Sequence, residues 1–203
     1  MSKSKQMLIC ALLFLLTASA FGQRQTVTIE GIAVAKGQPI VFAKRVAWVD
    51  AMRTLAELVI GVEFVLDTER VSGNLRYTVK GDVAPAGTIR QTGADTLPTG
   101  IYRITLNVEV EPGPPVIENL PEIVAEGKGD IRASRSLAAA RTAAKATAMA
   151  EAIKKAALEE YGKAGKPIPR TLEGHAYYLG PVSERVVGNF YYMTARFKVA
   201  LRM

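Results

Sequence analysis

One cysteine, Cys10, and one histidine, His175, are all that this 203-residue chain has of the side chains that most often carry covalent and metal chemistry. A lone cysteine forms no intrachain disulfide, so a disulfide framework is excluded. A lone histidine has no partner of its own kind, and no serine or aspartate stands at an informative spacing from His175 for nucleophilic work. No His/Cys/carboxylate group shows metal-ligand spacing. Lys/Arg runs never exceed two residues, and no basic stripe is interleaved with aromatics, which speaks against nucleic acid as a partner. The sequence therefore nominates no catalytic, cofactor-binding or metal-binding residue, and no cofactor. A non-enzymatic protein is expected.

Glu126-Gly127-Lys128-Gly129-Asp130 has two glycines but lacks the spacing and the following Lys-Ser/Thr of a phosphate-binding loop. Asp50 interrupts the apolar stretch "VAWVDAM"; such a residue either lies at a helix edge or is buried against a partner such as an arginine. The late tyrosines have two readings. Tyr178 and Tyr192 form an exposed contact surface, or they belong to cross-strand pairs that stabilise a hairpin.

What the chain does have begins at its N-terminus. Lys3 and Lys5 precede the apolar run "MLICALLFLL", followed by the small residues of "TASAFGQ". These are the marks of a secretory signal peptide over residues 1–22, with cleavage after Ala20 or after Gly22. The run is well short of the roughly 20 residues that span a bilayer, so no transmembrane span is expected after cleavage. Cys10 lies inside the run, behind Leu8 and Ile9, rather than at its end behind small residues, so lipidation is not expected. Removing 1–22 removes Lys3, Lys5 and no acid, and the formal charge falls from +7 to +5. Periplasm or cell envelope is the expected location.

The remaining chain divides at Glu111–Pro121, "EPGPPVIENLP", whose four prolines break any ladder or helix. Residues 23–111 form a first half, 112–121 a linker and 122–203 a second half. Each half opens alike, with "EGIAVAKGQP" before one alanine-rich helix and "EGKGDIRASR" before another. In the first half, Gln25 to Ala35 reads as a strand, and Ile40 to about Ile60 as a helix ended by Gly61. The helix has a stripe of Ala43, Ala47, Ala51, Leu55 and Leu58 or Val59. The strands "VEFVLDTER", "LRYTVKGDV" and "GIYRITLNVEVE" follow, the last with Ile104, Leu106, Val108 and Val110 on one face.

The second half reads as a strand over Glu122–Asp130 and a helix from about Ala133 to Tyr161. Strands follow in "RTLEGHAYYLG" and "PVSERVVGNFYYMTARFKVALRM", with a tight turn at Gly188-Asn189. The predicted fold class is α+β: two tandem strand–helix–antiparallel-strand repeats that pack as a two-layer body, by sharing a sheet or by packing face to face.

Several of these residues carry a family resemblance. Gly31-Ile32-Ala33, then Ala43, Ala47, Ala51 and Leu55-Ala56-Glu57, then Gly61-Val62 through Thr68, then Val79-Lys80-Gly81 follow one pattern. Over Val27 to Val110 it resembles the N-terminal domain of flagellar assembly protein T and the related LPP-twenty surface lipoproteins. The second half repeats it weakly. The resemblance implies an exported, non-enzymatic bacterial protein of the kind that stabilises a ring around the flagellar basal body. Its partners would be other envelope or basal-body proteins, with self-association a further option. The shared residues are small and apolar, so the resemblance brings no functional residue with it. A periplasmic ligand- or polysaccharide-binding module is the alternative reading.

Overall fold

The computed structural model of the protein describes residues 24–35, 37, 39–69, 74–79, 85–97, 100–111 and 119–202. The expected signal peptide, residues 112–118 of the linker and Lys80-Gly81 lie outside these. The fold is α+β. Strand β1 (Gln25–Val34) leads into helix α1 (Ile40–Val59), then β2 (Val62–Asp67), β3 (Asn74–Thr78), β4 (Ile89–Thr96) and β5 (Ile101–Val110). The second half runs β6 (Glu122–Asp130), a single turn α2 (Ile131–Ser134), the long helix α3 (Leu137–Lys163), β7 (Thr171–Val187) and β8 (Phe190–Leu201).

The strands form two antiparallel sheets, ordered β1-β5-β4 and β3-β2-β7-β8-β6. The repeat is visible in both. Each half's opening strand pairs with its own last strand, β1 with β5 and β6 with β8, and that last strand pairs with the one before it. The hairpin β2–β3 departs from this symmetry. It leaves the first half's sheet and adds to the second, with β2 running antiparallel beside β7 from Val62↔Ala176 to Asp67↔Thr171. The repeats thus combine by partial sharing of a sheet.

The two openings are equivalent in packing, although Glu30-Gly31 and Glu126-Gly127 lie within their strands rather than at the ends. A Cβ on Gly31 would meet the Ala47 carbonyl oxygen and the Ala51 nitrogen of α1. A Cβ on Gly127 would meet the Ala144 carbonyl oxygen and the Ala148 nitrogen of α3. In each half a bare strand backbone meets a bare helix backbone, which is why both sequences place glycine in the strand and alanine every fourth residue along the helix. Ala43, Ala47, Ala51 and Leu55 of α1 are buried, as are Ala140, Ala144, Ala148, Ala152 and Ala156 of α3. Larger side chains fill the space beside these stripes. Ile104, Leu106 and Val108 pack under α1, while Phe64, Met193 and Phe197 build the core under α3 together with Met149 of that helix.

Two local expectations need correcting, and one strand had no expectation to meet. The second long helix starts at Leu137, not near Ala133, because Arg135 is left-handed (φ 59°) and separates it from the α2 turn. Asp130 caps that turn through the Arg132 and Ala133 amides, and Ser136 caps α3 through the Ala139 amide. The two strands read on either side of Gly180-Pro181 are one strand, β7, which absorbs the break as irregularities between Tyr178 and Gly180 and between Pro181 and Ser183. Strand β4 carries no alternation that would announce it, since most of its residues are exposed. The turn at Gly188-Asn189 forms as expected, with Gly188 at φ 59°.

Candidate functional site

The densest polar chemistry lies where α1, α3 and β7 approach one another. Along α1, Asp50, Arg53 and Glu57 recur at three- and four-residue steps and so share one face. Along α3, Arg141 and Lys145 are one turn apart. The fold sets these faces together, although each comes from a different half of the chain.

Glu57 is fully buried. Its Oε2 accepts a hydrogen bond from Lys145 Nζ at 2.5 Å, and its Oε1 lies 3.3 Å from Arg53 Nε. The Lys145 ammonium also sits 5.1 Å from the centre of the Tyr178 ring, whose face it attracts. One turn away, Arg141 Nε donates to Glu184 Oε1 of β7 at 2.7 Å, and its other arm lies 3.8 Å from Asp50 Oδ2. That same Asp50 oxygen accepts the backbone N–H of Ile32 at 3.0 Å, which ties α1 to β1. Asp50 is therefore partly buried with an arginine beside it, the second of the two placements its sequence context allows.

Buried charges in contact change one another's proton affinity. Burial, the largest single influence, works against the Arg141 cation, but the Glu184 carboxylate together with Tyr178 and Tyr191 outweighs it and holds the guanidinium more firmly protonated than usual. Burial first, then the carboxylates of Glu184, Glu57 and Asp50, push the Tyr178 hydroxyl above the ordinary tyrosine range, against the pull of Arg141. Tyr191 is raised in the same way, by burial and by Glu184. At neutral pH the cluster is a set of matched ion pairs with neutral phenols around it.

Beside the cluster lies a recess of about 260 Å³ whose wall includes Thr28, Glu30, Thr54, Arg141, Tyr178 and Arg196. It opens between β1 and the irregular part of β7, so both halves contribute to it.

The residues singled out from sequence lie elsewhere or are otherwise engaged. His175 is half-buried on β7, 3.7 Å from Glu63 across the strand pair. Tyr178 is buried and does not share an exposed face with Tyr192. It pairs across the strands with Phe197, the rings 5.6 Å apart, so the hairpin-stabilising reading is the one that holds. Gly127 and Gly129 face α3, Lys128 lies over the Phe190 ring, and Asp130 is a helix cap, so the Glu-Gly-Lys-Gly-Asp segment serves packing. Among the described residues no group of three or more His, Cys, Asp or Glu is placed to hold a metal ion. Sequence reading missed Glu57, Arg141 and Lys145. The only signal was opposite charge at one-turn and two-turn spacings on two separate helices. Comparison with family models, with curated proteins and with solved structures gives no match for this chain.

Proposed function

We propose that this is an exported bacterial envelope or periplasmic protein with a structural or assembly role, acting through protein surfaces. The observation that supports this reading is the bonding within the charge cluster. Asp50, Glu57, Arg141, Lys145 and Glu184 are engaged with one another and with the backbone, joining α1 to α3 and β7. Groups so matched hold a body together rather than bind and release a substrate. The signal-like N-terminus and the resemblance of residues 27–110 to flagellar assembly protein T and LPP-twenty proteins point the same way, with the flagellar basal body as one place for the protein to act.

The test is cross-linking in living cells of a chain with a photoreactive residue on an exposed strand face, followed by identification of what is captured. Recurrent capture of envelope or basal-body proteins supports the assignment. Capture of cytoplasmic proteins alone rejects it.

A second reading, a ligand- or polysaccharide-binding module, draws on the recess beside Arg141 and Tyr178, where an aromatic side chain and charged groups converge. Saturable binding of an oligosaccharide that is abolished by Thr54→Trp, a substitution that fills the recess, would favour this reading over the first.

A further inference from the structure

Among the described residues the two sheets end in four edge strands, β1 and β4 of one and β3 and β6 of the other. An edge strand offers unpaired N–H and C=O groups to any further strand, and proteins ordinarily obstruct it. On β1 the outward N–H of Ile32 is taken by Asp50 of α1. On β6 the carbonyls of Val124 and Lys128 accept Lys155 Nζ at 2.8 Å and the Thr147 hydroxyl at 3.3 Å, both from α3. Strand β3 is only five residues long. Strand β4 has eight residues, most of them exposed, and no side chain among the described residues closes its outer edge.

That edge is complementary to itself. The Leu97 N–H donates to Ile101 and the Thr88 carbonyl accepts from Glu109, which fixes the phase of bonding to β5 at each end. Arg90, Gly93 and Asp95 accordingly bond toward β5, while Ile89, Gln91, Ala94 and Thr96 turn their backbone groups outward. The bulge between Gln91 and Gly93 adds Thr92, which makes the outward set symmetric about the Thr92–Gly93 peptide. A second copy laid antiparallel about a twofold axis there meets Gln91 with Ala94 and Ile89 with Thr96, so each outward group faces another.

The charges agree with this register. Arg90 and Asp95 are five positions apart and would lie on opposite faces of a regular strand. With Thr92 bulged between them, both join the face away from α1, opposite Asn107 and Arg103 of β5. The twofold pairing brings Arg90 of each copy to Asp95 of the other. Arg90 has no acidic partner among the described residues. Asp95 bonds Arg103, which Glu30 also approaches at 3.8 Å, so these three carry one surplus negative charge for Arg90 to match. The Asp95 side chain is 47% exposed and open to a second cation.

The other face has room for a second copy. The Asp50 side of α1 turns to the β1 edge, and Trp48, Met52 and Val59, about half a turn round the helix, are half-buried on the β4 side. Gln91, Ala94 and Thr96 stand exposed beside them. Pairing β4 with β4 joins the two three-stranded sheets into one, with an α1 helix on each side of the seam.

We propose that the protein forms a twofold dimer through antiparallel pairing of β4 with β4 of a second copy. This inference does not depend on the proposed function.

Sedimentation equilibrium of the protein as recovered from cells should show a monomer–dimer equilibrium. Arg90→Glu and Asp95→Lys, each alone, set like charges together at both symmetric pairs and should weaken the dimer about tenfold or more. An equimolar mixture of these two variants sets opposite charges at both pairs and should restore association as a mixed dimer. Gln91→Pro removes an outward N–H, spares the bonds to β5 and should abolish the dimer. A monomer at every concentration up to about 100 μM overturns the proposal. So does a dimer that Arg90→Glu and Gln91→Pro leave intact, or a mixture that associates no better than its components. Capture of a different protein at Gln91 without self-association overturns it as well.

Discussion

Glu57 Oε2 and Lys145 Nζ lie 2.5 Å apart although 88 residues separate them in the chain, and neither side chain has appreciable contact with water. Removing one partner leaves a buried charge without its counterion, which costs about 3–5 kcal/mol. The two halves of the pair are not equivalent. With Lys145→Met, Glu57 retains Arg53; with Glu57→Leu, the ammonium keeps only the Tyr178 ring among the described residues. Chemical denaturation should therefore show Glu57→Leu as the more damaging change, and the double variant Glu57→Leu/Lys145→Met as more stable than Glu57→Leu alone.

The close approach at Gly127 gives a second prediction. Gly127→Ala puts a methyl group against the α3 backbone at Ala144 and Ala148, and should cost about 3 kcal/mol or more. Gly162, within α3 with open space around its Cβ position, is the control: Gly162→Ala should stabilise by about 0.5 kcal/mol. Thermal melts of the two variants should shift in opposite directions.

Alkaline pH should unfold the protein through its buried phenols. Tyr178 and Tyr191 both hold their protons more tightly when folded, through burial and the neighbouring Glu184. The unfolded chain, with ordinary tyrosines near pKa 10, releases these protons first as pH rises. The stability they contribute is intact below about pH 10 and falls above it, by about 1.4 kcal/mol per pH unit for each tyrosine. Melting temperature followed from neutral pH to beyond 10 should show the decline. Tyr178→Phe should make it shallower.

His175 and Ala51 form a contrasting pair. His175→Gln alters a half-exposed strand residue and should change stability by less than about 0.5 kcal/mol, leaving biological activity intact in a complementation assay. Ala51→Asp places an unpaired carboxylate at a fully buried position beneath Gly31 and should cost about 3–5 kcal/mol, with loss of folded signal in circular dichroism.

The elements most legible in the sequence were those whose periodicity survives burial on one side. Ala43, Ala47, Ala51 and Leu55 announce α1, and the alternation from Ile104 to Val110 announces β5. Strand β4 was illegible because it lies at a sheet edge with both faces largely wet, and a strand with no buried face has no pattern to show. The charge cluster was hidden for a different reason. Glu57 sits among residues that read as the polar side of α1, and what buries it is Lys145, on another helix of the other half. Local sequence specifies a helix face; it does not specify which distant face comes to meet it. The placement of β2 beside β7 was invisible on the same grounds.

That placement has a consequence in time. The Thr68 hydroxyl, at the end of β2, bonds the Pro169 carbonyl across 101 residues of chain. During synthesis at about 5–20 residues per second, the β2–β3 hairpin emerges roughly 5–20 s before the strand it must join. For that interval Phe64 and Leu66, buried in the finished protein, wait without their partner strand, and β2 offers an open edge to any neighbouring nascent chain. A growing polypeptide of this design depends on something to shield its middle until its end arrives.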